Sequence, residues 1–95
     1  MPEYLVECYL ARRADLADVV ARARRAAAAV SRRGTAVRHV RATFLPDDEV
    51  CLHVFSASSL DAVQAAAMRA ALDADRIVEA RELDHEPEPG RRTTS

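Results

Sequence analysis

Two periods take turns along this chain, and their order is the strongest constraint on what it can fold into. In "EYLVECYL", residues 3–10, side chains alternate: Tyr4, Val6 and Cys8 point one way, and Leu5, Glu7 and Tyr9 the other. That period of two predicts a strand. The next stretch changes period. Leu16, Val19, Val20, Ala23, Ala27 and Val30 fall on one stripe of a helix. Asp15 precedes it as an N-cap, with Asp18 three residues on, and Gly34 follows as a stop. Arg22, Arg24, Arg25, Arg32 and Arg33 occupy the remainder and read as a solvated helix face.

Residues 35–44, "TAVRHVRATF", return to period two. Val40, Ala42 and Phe44 form the more apolar set, against Val37, His39, Arg41 and Thr43. "LPDDE" is a turn by its proline and acids, so the stretch after it should pair back as a hairpin. That stretch is "VCLHVFSAS", residues 50–58. Val50, Leu52 and Val54 read as its core set, and Cys51, His53 and Phe55 as its outward set. Ser58 or Ser59 caps a second helix carrying Leu60, Val63, Ala67 and Ala70, and "DRIVEAREL", residues 75–83, closes as a fourth strand. There Val78 and Ala80 read as inward, and Ile77, Glu79, Arg81 and Leu83 as outward. From residue 85 the chain is rich in proline and charge and predicts a disordered tail, with the folded domain over 1–84.

The order is β-α-β-β-α-β, the ferredoxin-like arrangement of the α+β class. Right-handed crossovers place the strands in the order 4-1-3-2, a four-stranded antiparallel sheet with two helices on one face. The other face starts bare. The outward sets give it Leu5, Tyr9, Val37, Phe55, Ile77 and Leu83, an apolar patch of the kind that marks an interaction surface. A homodimer through the open sheet face is expected.

The same outward sets carry Glu7, His39, His53 and Glu79, with Arg41 beside them. Imidazole and carboxylate ligands suit nickel, zinc or iron, so His53, His39 and Glu7 form a candidate metal set. The same groups could serve as acid and base, with Arg41 as an anion anchor. They could also simply pair, Glu7 with Arg81 and Glu79 with Arg41, and fix the register of a structural dimer.

Composition narrows the classes. The net charge is −1, which gives no general attraction to nucleic acid or anionic lipid. The third strand lacks the aromatic run of an RNA-recognition sheet, so no nucleic acid is expected. No apolar run approaches the roughly 20 residues that span a bilayer, so no membrane is expected either. The N-terminus has no basic region before an apolar run. Cys8 and Cys51 have no zinc spacing, so a cytoplasmic protein with free thiols is expected.

Three pieces, "MPEYLVE", "VRHVRATF" with "DDEVCLHVFSASSLDAV", and "RAALDADRIVEARELD", together resemble a family of small bacterial ferredoxin-like domains of unassigned function with a nickel-binding, dimeric branch. The resemblance covers roughly residues 1–84. It implies a small dimeric protein that binds a divalent transition metal (Ni or Zn) or a small molecule. It also points to Glu7, Arg41 and Glu79 as ligand-binding positions, since the family commonly carries the same residue types there. The family usually has cysteine where His53 stands, and Arg-Ala-Gly where Arg69, Ala70 and Ala71 end the second helix. Histidines of the nickel-binding branch are replaced by Cys8, Tyr9, Ala67 and Leu72. Binding is thus expected ahead of catalysis, with a cofactor-free monooxygenase- or isomerase-like enzyme as the alternative.

Overall fold

The structure, a computed structural model, describes residues 1–81. The elements run β1 (Glu3–Tyr9), α1 (Leu16–Arg32), β2 (Val37–Leu45), β3 (Val50–Ala57), α2 (Leu60–Arg69) and β4 (Ala74–Ala80). The strands form one antiparallel sheet in the order β2-β3-β1-β4, the expected order read from the other edge. This is an α+β fold with the ferredoxin-like layout. Leu83, the boundary at 84 and the expected tail lie outside the described residues.

The helix ends follow from local chemistry. The Asp15 carboxylate accepts from the backbone N–H groups of Ala17 and Asp18, satisfying two donors that α1 would otherwise leave open. Ser59 does the same for α2 by accepting from the Ala62 N–H. Past α1, Gly34 has φ +104°, where L side chains are strained, and its N–H donates to the Ser31 carbonyl. Past α2 that left-handed position falls on Ala71, with φ +58°. The Leu72 N–H closes this end by donating to the Ala67 carbonyl.

One buried cluster gathers residues of both helices and of the strands. Tyr4, Val6, Val37, Phe55 and Ala57 come from the strands, Ala23, Ala27 and Val30 from α1, and Ala62, Val63 and Ala66 from α2. We call the side of the sheet that carries these strand residues the core side and the other the second side. Alanine dominates the helix contribution, so the large core groups must come from the sheet. Phe55, fully buried, is the largest, and its burial contributes about 2–3 kcal/mol.

Register then fixes every other side chain, because directly paired residues of antiparallel strands point to the same side. Val6 pairs with His53 and with Ile77, Tyr4 with Phe55 and Glu79, and Cys8 with Cys51. The assignment of β1 therefore stands, with Tyr4, Val6 and Cys8 buried. The assignment of β3 is reversed. Cys51, His53 and Phe55 are core-side and fully buried, while Leu52 and Val54 pair with Glu7 and Leu5 on the second side. Strand β4 is reversed as well: Ile77 packs on the core cluster, and Val78 pairs with Leu5.

Strand β2 is half reversed, for a different reason. Its register to β3 shifts between His39 and Arg41. Val40 is the extra residue of a bulge, and the alternation changes phase across it. Val37 and His39 before the bulge, and Ala42 and Phe44 after it, all lie core-side. Arg41 and Thr43 pair with Val54 and Leu52 on the second side.

Candidate functional site

The bulge gathers three titratable side chains on the core side. His39 Nε2 lies 3.0 Å from His53 Nδ1, and His53 Nε2 lies 3.4 Å from Cys51 Sγ. His53 and Cys51 are fully buried, and His39 is 6% exposed. Spacing along β3 aligns Cys51, His53 and Phe55 as alternate residues. The β2 register sets His39 opposite Phe55, and their rings meet edge to face with centroids 5.1 Å apart. Ala42 stands directly opposite His53 and offers only a methyl group, so the space beside the imidazole is open to His39. Cys8, across from Cys51, donates its thiol to the Cys51 carbonyl at 3.5 Å.

Burial sets the protonation of this array. It pushes both imidazoles down, to about 4 for His39 and about 4 for His53. The neighbouring His53 and the Arg24 guanidinium add to the effect at His39. Burial also pushes the thiols up, Cys8 to about 12 and Cys51 in the same direction. At neutral pH the array is therefore two neutral imidazoles and two thiols. In one tautomer chain Cys51 donates to His53 and His53 to His39. In the other, His39 donates to His53 and His53 to the Cys51 sulfur. Either way His39 Nδ1 is buried with no hydrogen-bond partner among the described residues. His39 also lines an open cleft of about 510 Å³ between α1 and the start of β2, its route to solvent.

The acidic members of the expected set are elsewhere. Glu7 is on the second side, where its carboxylate accepts from Arg76 Nε at 3.1 Å. The sheet itself separates Glu7 from His53. Arg41 is exposed on the second side, opposite Val54. Glu79 is core-side on the edge strand but exposed, and pairs with Arg81 at 3.5 Å. The expected ion pairs, Glu7 with Arg81 and Glu79 with Arg41, are thus replaced by Glu7 with Arg76 and Glu79 with Arg81. His39 and His53 come together as expected. Among the described residues no group of three or more histidine, cysteine, aspartate or glutamate side chains is arranged to hold a metal ion.

The part of the array that sequence reasoning missed is Cys51 as the neighbour of His53 on a buried side. A usable signal existed: His53 is flanked two residues either way by Cys51 and Phe55, both among the residue types most often buried.

No protein-family model matches this chain, and no curated protein matches it either. Among solved structures, the crystal structure of SCO4226 from Streptomyces coelicolor A3(2) is similar, with a TM-score of 0.58 at 21% identity. The likeness covers 90% of this chain and 99% of that one. At that identity it shows a common fold. No helix among the described residues is long and apolar enough to cross a membrane.

Proposed function

We propose that this is a small cytoplasmic binding protein that holds a transition-metal ion on the paired imidazoles of His39 and His53. The observation that carries this reading is the 3.0 Å approach of two imidazole nitrogens in the core. Burial keeps both rings in the neutral form that ligates metals. An ion on His39 Nε2 and His53 Nδ1 would take the place of the hydrogen bond between them, with the ring protons on His39 Nδ1, which has no partner among the described residues, and on His53 Nε2. Cys51 would hold the His53 ring in orientation through its other nitrogen. Such a donor set suits nickel or zinc, and the ion would supply a Lewis-acidic centre open to further ligands. Glu7 takes no part.

Titration calorimetry with Ni²⁺ and with Zn²⁺ tests the proposal. The wild-type chain and Glu7→Ala should bind alike, and His39→Ala or His53→Ala should lose binding. Equal binding by all four chains, or none by the wild type, overturns it.

A second reading concerns assembly. We propose that both helices lie over the core side and that a second copy of this chain covers the second side, which they leave free. Val78, Leu5 and Val54 form a continuous row across three strands there, with Leu52 in the next row. Arg41 and the Glu7–Arg76 pair stand around these apolar residues. Face-to-face sheet packing would bury that row at the centre. Leu5→Arg should shift a sedimenting dimer to monomer without loss of helical circular dichroism. A wild-type chain that sediments as a monomer at all concentrations refutes this assembly.

A further inference from the structure

The outer surface of the helices carries a feature that neither the imidazole array nor the second side uses. Arg22, Arg25 and Arg32 of α1 and Arg69 of α2 line a groove of about 430 Å³ between the two helices. On α1 these positions belong to one helical face together with Ala26 and Ala29, by their spacing of three and four. Ala70 and Ala71, just past α2, complete the floor. Among the described residues, no acidic side chain lines the groove. Alanine at each floor position leaves only methyl groups between a ligand and the helices, so the space is open to a compact ligand.

A run of surface arginines is ordinarily a solvated face, and one observation separates this one from that case. The fourth arginine comes from a different helix, so the convergence depends on the fold and not on α1 alone. Arg22 keeps a partly exposed ion pair with Asp18, one turn back along α1, at 3.8 Å. An anion seated in the groove would be met by the exposed guanidinium groups of Arg25, Arg32 and Arg69 and by the exposed part of Arg22.

We infer that this groove binds a compact polyanion of the diphosphate class, either inorganic or as the head of a small organic phosphate. Guanidinium groups match phosphate oxygens two at a time, and several converging on one site favour a group with several adjacent charges. The helix C-termini nearby oppose an anion, but by about half a charge each against four guanidiniums. The volume lies within the range of small-molecule sites. The chain's overall charge is −1, so the groove is a local exception and does not depend on net attraction.

Calorimetry with inorganic pyrophosphate, in metal-stripped buffer on the full chain, tests this independently of the metal-binding proposal. Pyrophosphate should bind, and added salt should weaken it. Arg22→Gln and Arg69→Gln should each weaken binding about tenfold, the loss of one charge-assisted contact. Arg24→Gln removes the same charge from the same helix outside the groove, and should change binding by less than about twofold. Arg22→Lys should fall between wild type and Arg22→Gln. Unfolding midpoints of the variants, all close to wild type, would tie the losses to the groove. No binding at millimolar pyrophosphate, or an Arg24→Gln loss as large as that of Arg22→Gln, overturns the inference. Citrate binding as tightly as pyrophosphate would overturn the phosphate class. Tighter binding of single-stranded RNA through the same arginines would make the partner a nucleic acid and refute it.

Discussion

The two sides of this sheet treat ionisable side chains in opposite ways. On the second side, Glu7 faces Arg76 across neighbouring strands at 3.1 Å in partial contact with solvent. On the core side, His39, His53, Cys8 and Cys51 are all buried, and among the described residues no carboxylate or guanidinium hydrogen-bonds any of them. They are tolerated there because each can be uncharged at neutral pH and because they largely satisfy one another. A glutamate could not take the place of His53 on those terms. The comparison explains why the residue types divide between the sides as they do, and it makes the core side the more sensitive to pH.

That sensitivity is the largest effect expected. Each imidazole is pushed from about 6.5 in the unfolded chain to about 4 in the folded one. The unfolded chain therefore binds protons that the folded chain refuses. The stability in question is fully present above about pH 6.5 and is lost as the pH falls toward and through 4. For one imidazole the loss is on the order of 3 kcal/mol, and for the coupled pair it is on the order of 5 kcal/mol. Urea unfolding between pH 7 and pH 4.5 measures it. The double variant His39→Leu, His53→Leu should lose most of this dependence. A wild-type curve that is flat in that window would break the comparison, because it would mean the two sides respond alike.

Removing the bulge comes next. Deleting Val40 forces β2 into uninterrupted alternation. Either Val37 and His39 or Ala42 and Phe44 must then leave the core side. We expect a loss of about 3–4 kcal/mol, from vacated core volume and the broken contact between the imidazoles. The pH dependence of stability should shrink with it if His39 is the residue expelled. A deletion variant as stable as the wild type would show that the bulge does not hold the array together.

The same bulge shows how far the sequence can be read. Element order, both helix caps and the strand order follow from period and end chemistry, and β1 could be assigned correctly because only one of its sets carries a glutamate in its middle. In β3 one set is wholly apolar and the other places His53 between Cys51 and Phe55, and alternation alone does not say which one is inside. The set with Phe55 won on volume. The helices bring mostly alanine to the core, and a large ring is needed to fill the space above it. In β2 no residue announces the bulge: Val40 is an ordinary strand former, and the phase change is visible only in the pairing with β3. The proximity of His39 and His53 was legible because both assignments erred in the same sense. Their separation from Glu7 was not, because it depends on the side of the sheet.

A smaller effect separates the array from general stability. The two helices end on the same left-handed position, filled by Gly34 after α1 and by Ala71 after α2. Ala71→Gly relieves the strain of φ +58° but adds freedom to the unfolded chain, for a net gain of about 0.5–1 kcal/mol. The unfolding midpoint should rise at every pH while the titration of the imidazoles stays in place. A gain confined to low pH would mean that the end of α2 and the array are coupled.

The smallest effect lies on the second side. Arg76 is 63% and Glu7 35% exposed in this pair, so water and salt screen much of its attraction. Glu7→Gln should change stability by less than about 0.5 kcal/mol. The glutamine can still accept from Arg76 Nε, and its neighbour Leu52 loses no contact, so little remains to be lost. This holds for the isolated chain. If a second copy covers this side, the pair is buried at the interface, and breaking it leaves Arg76 without its partner in a drier place. The same substitution would then cost several times more when measured on the dimer. Unfolding of Glu7→Gln at low and at high protein concentration separates the two cases. A small loss that stays small as concentration rises means that the second side remains open to solvent, and its contrast with the core side is then as sharp in solution as in the single chain.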